Sequence, residues 1–173
     1  MPLSRLHTAL DAFAEWTGRI SAWLALLLVL VTFTVVVLRY AFDIGSIALQ
    51  ESILYLHATL FLLGAAYTLK HDAHVRVDIF YRNMSPQGKA WVDLGGTLLL
   101  LLPVCLFLLW VSWDYVASAW SLHEGSREAG GLPYVYVLKS LIPVAAALLM
   151  LQGVSQVLAS LAVLLEPEDG RTS

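Results

Sequence analysis

Residues 140–165 read SLIPVAAALLMLQGVSQVLASLAVLL, 26 residues without a charged side chain. A bilayer core about 30 Å thick takes roughly 20 apolar helical residues to cross, so this stretch alone predicts a membrane span. Working outward, three more runs meet the same test: 94–113 between Asp93 and Asp114, 52–69 between Glu51 and Lys70, and 20–38 between Arg19 and Arg39. Within hydrocarbon a backbone must satisfy its own hydrogen bonds, and none of these runs alternates polar with apolar residues as a barrel strand does. The expected fold is an all-α membrane protein of four transmembrane helices, at about 20–39, 48–69, 90–117 and 134–165 of one integral membrane domain.

Composition agrees. The 173 residues are 59% hydrophobic and 13% charged, against roughly 45–50% and 25% in soluble domains, and the mean hydropathy is +0.75. The net charge of −3 and the lack of any Lys/Arg block exclude a nucleic-acid partner. One cysteine, Cys105, excludes a disulfide framework or a multi-cysteine metal cluster.

Lys/Arg asymmetry sets the expected orientation. Arg5, Arg19, Lys70, Arg76, Arg82, Lys89 and Arg171 fall on one side, and only Arg39, Arg127 and Lys139 on the other. Both termini and the middle loop should therefore face the cytoplasm. Trp113, Trp120, Tyr134 and Tyr136 suit an outer aromatic belt, and Trp16 and Trp91 an inner one.

No cleavable signal peptide is expected, because the first apolar run starts late and is too long. Ahead of it, Leu3, Leu6, Leu10 and Phe13 recur at helical spacing with Arg5, Asp11 and Glu15 between them. This predicts an N-terminal amphipathic helix, about 3–17, in the cytoplasmic interface; the alternative is a plain extension of the first span. Ser85-Pro86 predicts a helix start that continues into the third span. Val75, Val77 and Ile79 alternate with Arg76 and Asp78 as a short extended or interfacial stretch, and 118–133, with Gly125, Gly130, Gly131 and Pro133, reads as an irregular periplasmic connector.

Ionisable groups inside hydrocarbon are the first place to look for chemistry. Here only His57 qualifies, about two turns in from Glu51. It is expected to be a neutral histidine bonding a neighbouring helix, since a di-haem anchor needs paired histidines and a coupled carrier a midplane carboxylate. His71 and His74 with Asp72 and Asp78 hint at a metal, but without a further His or Cys they read as a solvated loop. No cofactor and no metal are expected. Arg39 and Glu51 could clamp the first hairpin as an ion pair or stand as independent interfacial charges. Gly64-Ala65-Ala66 and Gly95-Gly96 should permit close helix contact, and Gln152, Gln156 and Ser160 form a polar stripe that should avoid lipid. No Ser/His/Asp grouping, phosphate loop or carboxylate pair is present, so no enzyme is expected.

The ordered set Leu38-Arg39-Tyr40, Glu51, Gly64-Ala65-Ala66, His74-Val75-x-Val77-Asp78, Gly131-Leu132-Pro133-x-Tyr and Pro143 resembles the small, DctQ-type membrane subunit of tripartite ATP-independent periplasmic (TRAP) transporters. The similarity covers roughly 20–165. Asp72 stands where the family often has glycine, and His57 where aromatic or aliphatic residues are common. The Tyr55-Leu56-His57 variation resembles the branch associated with mannitol, chloroaromatic or keto-acid uptake. The resemblance implies a bacterial inner-membrane protein that partners a large TRAP membrane subunit and a periplasmic substrate-binding protein in sodium-driven uptake of organic acids. The alternatives are a self-contained four-helix carrier or channel and a haem-bearing anchor. Arg39, Glu51, His57, Gly64, His74, Asp78, Pro133, Gln152 and Gln156 are the structural and interface candidates.

Overall fold

A computed structural model describes residues 2–71 and 81–165, with side chains for Ala12, Glu15, Trp16 and all of those residues from Gly18 onward. The described residues form helices α1 (Pro2–Ala41), α2 (Ile47–Lys70), α3 (Pro86–Ser121) and α4 (Val135–Leu165). Each contains a stretch long and apolar enough to cross a membrane. The described residues are thus all helical or in loops, with four helices fit to span a membrane.

The helix ends have local causes. Past Ala41, Asp43 takes a left-handed φ of 56°, which lets the Ile44 N–H reach back to the Leu38 carbonyl at 2.9 Å and close the end of α1. Ser46 then caps α2, its extended backbone aiming the hydroxyl at the Leu49 N–H. Ser85 caps α3 in the same way, accepting from Gly88 N–H at 3.1 Å with Pro86 in the first turn. α3 widens into a π-helical turn at Thr97–Leu101. Pro103 explains its place: its ring would meet the Leu99 carbonyl in a regular helix, and it has no N–H to donate.

The helices extend past the apolar runs. α3 starts at its Ser-Pro cap, ahead of Lys89 and Asp93, and reaches Ser121. The separate N-terminal amphipathic helix at about 3–17 is not found: α1 runs unbroken from Pro2 to Ala41, the plain-extension alternative. Nothing between Leu10 and Ile20 stops a helix except Gly18, and that glycine serves packing. A side chain there would collide with the Tyr67 ring of α2.

α1 and α2 pair as an antiparallel hairpin, and α4 packs against α1, α2 and α3. The N-terminal end of α2 touches the loop that leads into α4, so α2 and α4 run in the same direction. The buried positions are mostly small: Ala66, Ala90, Cys105, Ala119, Ala145, Ala146, Gly153 and Ser155. Helices in lipid gain little from hiding apolar surface from one another, and close backbone approach at small residues takes its place. At Gly153 a Cβ would lie 3.0 Å from a Leu101 methyl and 3.3 Å from Thr97, so this glycine admits the π turn of α3.

Candidate functional site

Three features of the bundle concentrate polar groups. The first is at the end of α2 that carries Glu51. One carboxylate oxygen of Glu51 accepts the Leu132 backbone N–H at 2.6 Å, and the other accepts the Ser126 hydroxyl. The loop between α3 and α4 is thereby folded over the head of α2. Within it Ser126 N–H donates to the Leu132 carbonyl at 2.9 Å, Glu128 N–H to the Ser126 hydroxyl at 3.1 Å, and Gly131 N–H to the Glu128 carbonyl at 3.0 Å. Gly130 holds φ 81°, a conformation that glycine adopts without strain. A Cβ on Gly131 would come within 2.8 Å of Glu51 Oε1, and one on Gly125 within 3.3 Å of the Pro133 Cα. Gly131 and Pro133 thus shape the loop around the carboxylate.

Arg39 takes no part. Both Glu51 oxygens are engaged by the loop, and among the described residues no ion pair joins Arg39 to Glu51. The ion-pair alternative of the sequence reading is replaced by a clasp from a distant loop. Beside it, Lys139 bonds Glu124 Oε2 at 2.5 Å and lies 4.0 Å from the Tyr115 ring centroid. Trp120 Nε1 donates to Ser140 Oγ at 2.8 Å, joining α3 to α4. The exposed aromatics Trp113 and Tyr134 flank this end.

The second feature is at the opposite end. Glu15 accepts from Lys70 Nζ at 3.2 Å and lies 3.2 Å from His71 Nε2, tying the extension of α1 to the last turn of α2. The Lys70 hydrogen bond, and after it that of His71, holds the Glu15 carboxyl below its ordinary value. Nearby, Tyr81 donates to Asp93 Oδ2 at 2.7 Å. Gln152 and Ser160 are buried within the chain and Gln156 partly so. With Lys70, Lys89 and Asp93 they line an open cavity of about 370 Å³. His74 and Asp78, with the extended stretch expected around them, lie outside the described residues.

The third feature is the outward side of α2. His57 is exposed there, halfway along the helix, and bonds no described residue. The expected bond to a neighbouring helix of this chain is not made. An imidazole left unpaired in hydrocarbon costs on the order of 2 kcal/mol or more. Gly64, on the same side, lines an open groove of about 610 Å³ between α1 and α2 with Gly18, Ser21, Ala22, Ala25 and Phe61. Within this chain Gly95 and Gly96 make no close helix contact, since a Cβ on either meets nothing within 4 Å.

The arrangement holds no catalytic constellation among the described residues, and no cluster of three or more His, Cys, Asp or Glu able to hold a metal. Sequence reading missed the Ser126 and Leu132 partners of Glu51, for which no local spacing gave a signal. A family model for the DctQ component of tripartite ATP-independent periplasmic transporters matches residues 28–163. No curated protein and no solved structure matches.

Proposed function

The chain belongs to the DctQ family, the membrane components of tripartite ATP-independent periplasmic transporters, and from this premise we propose that it binds and braces a large transport subunit. That subunit carries out sodium-driven uptake of organic acids, carboxylates and keto acids, delivered by a periplasmic binding protein. The family is one of transport components rather than enzymes. In the proposed orientation the Glu51 end faces the periplasm, while the Lys70 end and both termini face the cytoplasm, following the Lys/Arg asymmetry of the connectors. The Glu51-clasped loop then presents a shaped surface to the binding protein, and the N-terminal extension held by Glu15 rests at the cytoplasmic interface.

One observation carries the bracing role. The described ion pairs, Glu15 with Lys70 and Glu124 with Lys139, lie at the two ends of the bundle, and the buried middle holds mostly Ala, Gly, Ser and Cys, with Thr97 and Gln152 as uncharged polar groups and no charged side chain. A carrier for a carboxylate needs polar or unwound backbone at the midplane to replace the water its cargo loses. A bundle packed in this way suits support better than passage.

The test is reconstitution. Vesicles holding this chain alone are expected to accumulate no radiolabelled dicarboxylate or keto acid under an inward sodium gradient. Vesicles that also hold the large subunit, supplied with the binding protein, are expected to accumulate it. Accumulation by this chain alone overturns the assignment.

A further inference from the structure

The outward face of α2 is chemically unlike the rest of the bundle's exterior. Gln50, Leu54, His57 and Phe61 recur at spacings of four, three and four residues and are all exposed, so they line one face of the helix. His57 lies ten residues into α2, about 15 Å along its axis at 1.5 Å per residue, which is deep in the hydrocarbon layer. Outward hydroxyls at such depth satisfy themselves. Thr32 and Thr34 on α1 donate to the Leu28 and Leu30 carbonyls of their own helix at 2.7 and 2.8 Å. The exposed face of α3 carries Leu99, Phe107 and Trp110, side chains suited to lipid. His57 has no such internal bond.

The same face continues from Phe61 to Gly64 and opens into the groove between α1 and α2. A Cβ on Gly64 would meet only Ser21 Oγ, at 3.9 Å. The groove is therefore space that this chain leaves unfilled, and one turn before Phe61 on its rim the same helix face carries a polar group, His57, that it leaves unbonded.

We propose that this face receives a membrane-spanning helix of the large transport subunit. That helix fills the small-residue groove with bulky apolar side chains and offers a hydrogen-bonding group to the His57 imidazole. The choice of occupant is chemical. Acyl chains cannot bond an imidazole, and a soluble protein does not reach this depth; a second spanning segment supplies both apolar bulk and a polar partner. The proposal deepens the bracing role proposed above and rests on it.

A photoreactive phenylalanine analogue placed at position 54, 61 or 110, in membranes that co-express the large subunit, tests the face directly. Crosslinks to the large subunit from 54 and 61 are expected to exceed those from 110 about tenfold. Crosslinks from 110 alone, or from 54 and 61 only to lipid or to a second copy of this chain, overturn the proposal. A second arm separates docking from folding. Gly64→Leu has room in the free chain, so its thermal unfolding should match that of the parent while the co-purified large subunit falls about tenfold. His57→Leu should lower recovery and His57→Gln restore it; undiminished recovery with both Gly64→Leu and His57→Leu overturns the docking face. Failure of the bracing role itself looks different, because the unaltered chain then retains no large subunit in mild detergent.

Discussion

The carboxylate of Glu51, in the first turns of α2, accepts the backbone N–H of Leu132 at 2.6 Å across 81 residues of chain. This bond and the one from Ser126 hold the α3–α4 loop over a helix to which it has no sequence proximity. A backbone donor at a carboxylate makes one of the stronger hydrogen bonds available to a loop, and losing the acceptor leaves that donor without its partner. Glu51→Ala should therefore speed hydrogen exchange at the Leu132 amide roughly tenfold, with a smaller change for Glu51→Gln, which keeps one acceptor oxygen. Exchange measured by mass spectrometry on the peptide spanning the loop checks this, and unchanged rates would contradict it.

Gly131→Ala should mimic the loss of Glu51 from the other side. Its methyl would sit within 2.8 Å of Glu51 Oε1 and run into Ser126, so the carboxylate or the loop must yield, at about 1–3 kcal/mol for an overpacked site. Because both changes break one clasp, the double variant should cost less than the two single effects added together. Additive unfolding free energies would show that the residues act independently.

Gly153→Val places two methyl groups where Leu101, Leu102 and Thr97 already approach to 3.0–3.3 Å. The expected loss is about 1–3 kcal/mol, with lower yield of folded protein. Gly95→Val meets open space instead, so packing sets no penalty there, and the branched residue is still a slightly better helix former than the glycine it replaces. A comparison of thermal midpoints for the two variants in one detergent decides the matter.

At the other end, Lys70 and then His71 hold the Glu15 carboxyl below its ordinary value of 4.5. A carboxylate whose folded-state value is lowered contributes its full stabilisation above the unfolded value and loses it as pH falls through the folded one. The contact should thus persist at neutral pH and disappear on acidification below about 4.5. Glu15→Gln should lower the thermal midpoint at pH 7, and the difference from the parent should vanish in strong acid. Salt should shrink it too, since the pair is partly exposed. A midpoint difference independent of pH would rule out this origin.

The four helices were legible because charge-free runs of sufficient length have few other uses, and the Ser85-Pro86 start was legible because capping chemistry is local. The direction each face takes was not. α2 is apolar nearly all round, so no periodicity in the sequence says that His57 turns outward while Ala66 turns in. Glu51 stood out by its position at a span end, but its nearest sequence counterpart was Arg39, and its actual partners lie 75 and 81 residues on. Pairings across that distance depend on how the loop folds over the bundle, which spacing does not encode. The amphipathic pattern of the first residues has a related lesson: periodicity reports which side of a helix is oily, and says nothing of whether the axis bends.

The small residues at the helix crossings have a mechanical consequence. Gly18 against Tyr67 and Gly153 against Leu101 leave no slack for one helix to slide past its neighbour without backbone meeting side chain. In the bracing role proposed above the chain serves as a fixed post, and the large displacements of an uptake cycle fall to whatever is anchored to it.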